Sequence, residues 1–135
     1  MSRFDDLASD TRYVPTPRHV CSVYDFSVPI ADNLMLVLML VLMLVVHLET
    51  YKNLVRTFSI EVQLDGRDVC GRIDTSHSLV HRHQFYRSGG EDDPPHAIEP
   101  IPAGIDGAKT VDRMFEEAYT MMLERAEDIA RRWNR

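Results

Sequence analysis

The feature that most constrains the fold is an alternating run that ends in an Asp-Gly pair. Every second residue of this run is apolar: Phe58, Ile60, Val62 and Leu64. This two-residue period is typical of a strand with one buried face. Asp65-Gly66 follows at once, and Asp-Gly between two such runs indicates a two-residue hairpin turn, because both turn residues adopt positive φ. The sequence therefore predicts a hairpin formed by residues 57–64 and 67–74.

The predicted turn also sets the register of the hairpin. A two-residue turn pairs Val62 with Val69 and so gathers the apolar side chains on one face. The same register places Arg72 and Asp74 on the polar face, together with Cys70. A cysteine within a strand is usually a small buried hydrophobic residue rather than a nucleophile.

A further strand is expected at about Leu79–Arg87, after a short loop over Thr75–Ser78. With four loop residues, Arg72 lies opposite His81, and both His81 and His83 join the polar face. A loop of five residues would place the histidines on the other face instead.

The C-terminal part of the chain has the pattern of a helix, at about residues 110–133. Thr110 is a suitable N-cap. One apolar stripe recurs at three- and four-residue spacing: Val111, Met114, Phe115, Ala118, Met122, Ala126, Ile129 and Trp133. We expect this stripe to cover the apolar face of the sheet. The predicted fold class is therefore α+β, an antiparallel β-meander of about four strands packed against one long C-terminal helix.

The remaining segments are less regular. Residues 1–33 are polar and contain three prolines, which predicts an irregular leader that could include a short strand over Val20–Pro29. The single α+β domain is expected over residues 34–135. It starts with three copies of Leu-Met-Leu-Val at Leu34–Val45. We interpret this repeat as the extension of a strand, with a buried helix or membrane attachment as alternatives, because a membrane-spanning helix needs about 20 apolar residues. Ser88–Lys109 is predicted to be a long loop whose acids stay solvated.

Composition limits the function classes. The chain has 135 residues and carries 15 basic against 21 acidic residues, a formal net charge of −6. This balance argues against a protein that binds a polyanion over its whole surface, although a local basic patch is compatible with it. The two cysteines form no CxxC motif, which argues against a disulfide framework and fits a cytoplasmic location.

One segment concentrates the titratable side chains. Residues 71–86 read GRIDTSHSLVHRHQFY and contain three histidines, two arginines and one acid. The candidate catalytic residues are Arg72, Asp74, His77, His81 and His83. For cleavage of a phosphodiester without a metal, His81 or His83 would act as base and acid, and Arg72 or Arg82 would hold the phosphate. Asp74 would orient an imidazole.

The same segment supports two further hypotheses. His81 and His83 form a His-x-His pair on one strand face and are candidate metal ligands, with His77 or Asp74 as a third ligand. Alternatively, the histidines are ordinary strand residues of a non-catalytic interaction module. No cofactor is specified by the sequence. The partners expected from these hypotheses are RNA, a cognate antitoxin or other protein, or a second copy of the chain; a membrane is not expected.

The run Arg72-Ile73-Asp74-Thr75-Ser76-His77, followed by Val80-His81-Arg82-His83, resembles a group of small bacterial and archaeal proteins. These carry an Arg-x-Asp-x-x-His segment and a second histidine cluster at the end of a meander. The group includes uncharacterised actinobacterial families and, more distantly, TumE-type toxins of toxin–antitoxin operons. The toxin pattern places an Asn and extra histidines after the Asp, where this chain has Thr75-Ser76-His77. The resemblance covers roughly residues 45–135 and implies a toxin–antitoxin component that acts on RNA.

Overall fold

The computed structural model describes residues 12–30, 39–76, 78–92 and 94–134. Six strands and one long helix lie in these residues: β1 (Ser22–Ile30), β2 (Leu42–Tyr51), β3 (Leu54–Leu64), β4 (Asp68–Ser76), β5 (Leu79–Gln84), β6 (His96–Pro100) and α1 (Gly104–Trp133). The strands form one antiparallel sheet in chain order. The predicted class, an antiparallel meander with a long C-terminal helix, is confirmed, but the sheet has six strands rather than about four.

The two extra strands are the edges of the sheet. β1 lies within the segment predicted to be an irregular leader, where a short strand over Val20–Pro29 was the alternative, and it pairs with β2 along its whole length. β6 lies within the predicted loop Ser88–Lys109 and pairs with β5. Both strands contain a proline, Pro29 or Pro100. An edge strand tolerates proline because one of its sides needs no ladder hydrogen bonds, and this is why the sequence pattern hides these strands.

The Leu-Met-Leu-Val repeat is divided by the start of β2. Only residues 42–45 of the repeat belong to that strand, and Leu42 and Leu44 are buried in the core. Met39 has a positive φ of 59°, which turns the chain just before the strand. Residues 34–38 lie outside the described residues.

The β3–β4 hairpin forms at the predicted place but in a different register. Its turn has three residues, Asp65–Arg67, of which the first two have positive φ (54° and 65°). A bulge beside Val62 pairs this residue with Gly71 instead of the predicted Val69. The same bulge leaves Cys70 as the extra residue and turns it into the core rather than to the polar face. On the turn side of the bulge the shift is one residue, so Val69 lies opposite Gln63 and leaves the predicted apolar face. Beyond the bulge the shift is two residues, so Arg72, Ile73 and Asp74 keep their predicted faces.

A second shift of two residues occurs between β4 and β5. β4 ends at Ser76 and β5 begins at Leu79, so the connection has two residues rather than four. Asp74 lies opposite His81, and Arg72 lies opposite His83. Because side chains alternate with a period of two, this shift also preserves the predicted face of both histidines.

The helix begins six residues earlier than the sequence predicts. It starts at Gly104 rather than near Thr110, and the Thr110 hydroxyl donates within the helix to the carbonyl of Asp106 instead of capping it. Gly104 and Gly107 lower the helix propensity of this first turn, which conceals it. Gly107 is required because a Cβ there would lie 2.0 Å from the Pro102 carbonyl oxygen.

The core lies between the helix and one face of the sheet. The buried helix residues are Gly107, Ala108, Val111, Met114, Ala118, Met122, Ala126, Ile129 and Ala130. They pack on Phe58, Ile60, Val62 and Ile73, as the stripe predicts, while Phe115 and Trp133 are only partly buried. The opposite face, which we call the open face, carries the alternate polar side chains of the strands. In the part of the chain that the structure describes, no helix combines the length and apolarity needed to cross a membrane.

Candidate metal centre

Four of the predicted site residues come together on the open face. Arg72 and Asp74 project from β4, and His81 and His83 project from the adjacent β5. Asp74 lies opposite His81 and Arg72 lies opposite His83. The two members of each pair are within contact distance, because directly opposite residues have Cβ atoms about 5 Å apart. His77, the fifth predicted residue, lies outside the described residues.

Arg82 does not belong to this group. It lies opposite Ile73, which is fully buried, and so it projects from the face that carries the helix. Burial and the neighbouring guanidinium groups of Arg125 and Arg132 lower the pKa of Arg82. The hypothesis that Arg82 holds a phosphate beside the histidines is therefore wrong.

The ring of His81 is fixed by a backbone carbonyl. Its Nδ1 lies 3.2 Å from the carbonyl oxygen of Leu79. A carbonyl oxygen only accepts, so Nδ1 carries the proton and donates it. In the neutral ring the lone pair is then on Nε2, which lies 3.3 Å from Ser76 Oγ and accepts from that hydroxyl.

The ring of His83 is fixed in the same tautomer by an acid. Its Nδ1 lies 3.1 Å from Glu91 Oε2 and donates to that carboxylate. Its ring also stacks parallel to Phe85, with centroids 5.8 Å apart. The two imidazole rings meet edge to face, with centroids 4.6 Å apart. Both histidines thus present an Nε2 lone pair to the same region.

Asp74 occupies that region with an oxygen that has no hydrogen bond. Asp74 Oδ2 accepts from Arg72 Nε at 2.9 Å. Oδ1 is buried, and no hydrogen-bond partner for it exists among the described residues. It lies 3.4 Å from Nε2 of His81 and 3.7 Å from Nε2 of His83, and neither contact has hydrogen-bond geometry. A buried oxygen without a hydrogen bond costs free energy, so Asp74 Oδ1 needs a partner that these side chains do not supply, such as a water or an ion.

The separations are those of atoms that share a metal ion. Zinc binds imidazole nitrogen and carboxylate oxygen at about 2.0–2.2 Å, so two ligands at the tetrahedral angle are about 3.4 Å apart. The distances of 3.4 and 3.7 Å from Asp74 Oδ1 to the two histidine nitrogens match this separation between ligand atoms. One ligand atom from each of Asp74, His81 and His83 lies within 4.8 Å of the other two. The arrangement can hold a metal through two nitrogens and one oxygen.

The surrounding charges favour a cation. Arg72 contacts Asp74 and, at 3.5 Å, Glu61, while Glu91 contacts His83. The centre therefore contains three carboxylates and one guanidinium, and with neutral histidines two negative charges are uncompensated. A divalent ion would balance them. The Arg72 guanidinium also lies over the Phe85 ring, 5.3 Å from its centroid.

The centre is less exposed than the sequence predicts. His81 is only 8% exposed, and the side chains of His83 and Asp74 are 12% and 18% exposed. β6 contributes to this burial, because it places Ala97 beside His81. Partial burial strengthens electrostatic interactions at the centre, since water screens the charges less.

Two contacts at the centre were not predicted. Glu91 stays exposed, as expected of the acids in this segment, but the chain folds back after β5, pairs Glu91 with Phe85 and brings its carboxylate to His83. The signal for this return is Gly89-Gly90, which has the composition of a turn; Gly89 has a φ of 99°. Ser76 was placed in a loop, and the shorter β4–β5 connection brings it into β4.

Comparisons of the chain with protein-family models, with curated proteins and with solved structures give no match.

Proposed function

We propose that this protein binds one divalent transition-metal ion of the zinc class through Asp74 Oδ1, His81 Nε2 and His83 Nε2. One observation carries the proposal: the buried Asp74 oxygen has no hydrogen-bond partner among the described residues and faces two histidine lone pairs. The outer contacts support it. Metal-ligating histidines typically donate their other N–H to a carbonyl or a carboxylate, as His81 and His83 do here.

Without a metal, Asp74 Oδ1 has no hydrogen bond to any described residue, whether the histidines are neutral or protonated. If both histidines are neutral, His81 Nε2 accepts from Ser76 Oγ, but the lone pairs of both rings still face the carboxylate oxygen, which is repulsive. If they are protonated, both rings form ion pairs with Asp74 at 3.4 and 3.7 Å, but two imidazolium rings then lie edge to face beside one oxygen that still has no hydrogen bond within the described part of the chain. A metal ion between the three atoms removes both difficulties.

The ligand types favour particular metals. Imidazole suits Zn²⁺, Cu²⁺, Fe²⁺ and Ni²⁺, whereas Mg²⁺ and Ca²⁺ prefer sites made of oxygen. Two histidines and one carboxylate leave at least one coordination position for an exogenous ligand. This set occurs in zinc enzymes and also in non-haem Fe(II) oxygenases, so Fe²⁺ is the competitor that elemental analysis must address.

Action on RNA and membership of a toxin–antitoxin pair stay predictions. The charge of the centre favours a cation over a polyanion, since Arg72 already contacts two carboxylates. Binding to an antitoxin or to a second copy of the chain likewise remains a prediction.

The test of the proposal is zinc affinity in solution, measured by competition with a chromophoric chelator. Wild type is expected to bind one equivalent. His81→Ala, His83→Ala and Asp74→Asn should each weaken binding by more than about 100-fold, because each removes a direct ligand. His96→Ala is the matched control: His96 is exposed on β6 and lies opposite Arg82, away from the centre. The proposal would be contradicted if wild type bound no zinc, or if the three ligand variants bound zinc with the same affinity as wild type and His96→Ala.

A further inference from the structure

Ser76 connects the metal centre to a cavity at the end of the sheet. Its Oγ lies 3.3 Å from His81 Nε2, and the residue also lines a cavity of about 110 Å³. The cavity lies where the N-terminal segment packs against the ends of β3 and β4. Its lining residues are Tyr13, Pro15, Thr57, Thr75, Ser76, Ser78 and Ile101.

The lining is polar but uncharged. Five of the seven residues carry a hydroxyl group, and none is an acid or a base at neutral pH. Burial raises the pKa of Tyr13 to about 12, so its phenol stays neutral and donates to the carbonyl of Arg56. The backbone N–H of Tyr13 donates to Ser78 Oγ at 2.9 Å, which holds the N-terminal segment in place.

Ser76 lies at the distance expected of a neighbour in the coordination shell. Its separation from His81 Nε2 is similar to the 3.4 Å between that nitrogen and Asp74 Oδ1. A serine hydroxyl is a weak metal ligand but a good hydrogen-bond donor. The position next to Ser76 is therefore suited to an exogenous ligand that binds the metal and accepts from the hydroxyl.

We propose that the metal keeps one coordination position open toward Ser76 and the cavity, and that this position binds a small monoanion, namely bicarbonate or a short carboxylate. The inference rests on the metal site proposed above. Within the coordination shell alone, a divalent ion with one carboxylate ligand and two neutral imidazoles retains a charge of +1, so this shell accepts a monoanion rather than a dianion. Glu61 and Glu91, the other acids near the centre, do not line the cavity.

The volume of the cavity limits the ligand. A water molecule occupies about 30 Å³ in the liquid, so 110 Å³ holds roughly three or four non-hydrogen atoms. Formate, acetate and bicarbonate have this size, whereas an aromatic carboxylate does not fit. Hydroxyl donors without a fixed charge also favour a monoanion over a phosphate dianion, which is typically held by arginine or lysine.

The experiment uses the protein loaded with saturating Co²⁺, whose visible absorption reports its ligands. Formate, acetate and bicarbonate should each change the spectrum with a saturable dependence on concentration, and benzoate should not. Ser76→Ala should weaken the formate response by roughly tenfold or more, the effect of losing one hydrogen bond to a charged group. Ser27→Ala, on the remote strand β1, is the control and should respond like wild type.

The outcomes separate the two proposals. If wild type shows no Co²⁺ spectrum, the metal site itself is wrong. If Co²⁺ binds but small anions leave the spectrum unchanged, or benzoate acts as strongly as formate, only the anion inference is overturned. An unchanged formate affinity in Ser76→Ala would overturn the role of Ser76.

Discussion

Two histidine clusters lie on the open face of the same sheet, and they differ in what their ring nitrogens contact. On β2, His47 Nδ1 lies 2.6 Å from Asp25 of β1, and Nε2 lies 2.8 Å from Glu49. Both nitrogens are hydrogen-bonded to carboxylates, which only a protonated ring can satisfy. These hydrogen bonds, first that to Glu49 and then that to Asp25, raise the pKa of His47.

The cluster on β4 and β5 contains the same residue types with a different set of contacts. Only Nδ1 of His81 and of His83 is occupied by an acceptor, and each Nε2 faces Asp74 at 3.4–3.7 Å without hydrogen-bond geometry. The His47 cluster is an ion pair that is complete by itself. The Asp74 cluster is incomplete and becomes favourable when a cation is added. A histidine close to an acid therefore does not by itself indicate a metal site. The distinguishing feature is the second ring nitrogen: it is hydrogen-bonded to a carboxylate in His47, and in His81 and His83 it has no hydrogen-bond acceptor among the described residues.

The largest expected difference in zinc affinity between the two clusters comes from replacing the carboxylate that is hydrogen-bonded to the histidine ring. Glu91→Gln removes the carboxylate that accepts from His83 Nδ1, and changes of this kind typically lower metal affinity roughly 10–100-fold. Glu49→Gln removes the corresponding acid at His47 and should leave zinc affinity unchanged. Isothermal titration of both variants with zinc measures the difference. If Glu49→Gln weakened zinc binding as much as Glu91→Gln, the two clusters would not be distinct.

A smaller effect is expected from the pH dependence of the His47 cluster. The folded-state pKa of His47 is above its unfolded value of about 6.5. The stabilisation by its protonated form is therefore fully present below about pH 6.5 and is lost as the pH rises through the raised folded pKa. Because the ring is 30% exposed, we expect on the order of 1 kcal/mol or less.

The measurement is urea unfolding of wild type and His47→Gln across this pH range. Wild type should be the more stable protein at low pH, and the difference should shrink as the pH rises. Arg18, which lies 3.6 Å from Glu49, and Ser59, opposite His47, are further polar residues in this region of the sheet. A stability difference that grows with pH would show that His47 is neutral in the folded protein.

Much of the fold could be predicted because two patterns agree. The alternation through Phe58 and Leu64 and the Asp65-Gly66 turn both require a hairpin with one apolar face, and the stripe on the helix matches that face. Arg72, Asp74, His81 and His83 lie on their predicted face even though both loop lengths were wrong, because the register shift at these residues was two in each strand pair. The sequence signal for the bulge beside Val62 is Gly71, because a glycine inside a strand favours a bulge or a close backbone approach. A Cβ at Gly71 would lie 2.6 Å from Ile129 Cγ2.

The candidate site was predictable only in part. Placement of Arg72 and Asp74 on one face follows from alternation and the Asp65-Gly66 turn, and placement of His81 and His83 on that face also required an even number of residues in the next loop. The choice between catalysis, metal binding and a plain polar face does not follow from alternation, because it depends on Glu91 and on the Leu79 carbonyl, which fix the histidine tautomers. Those contacts arise from the return of the chain after β5 and from the two-residue β4–β5 turn. The turn composition of Gly89-Gly90 signals the first of these, and no local motif signals the second.

The most direct test of the metal site is anomalous diffraction at the zinc absorption edge from crystals of the zinc-loaded protein. One peak is expected about 2.0–2.2 Å from Asp74 Oδ1, His81 Nε2 and His83 Nε2. A crystal of zinc-treated protein with no peak between these atoms, or with its strongest peak at His47, would contradict the account.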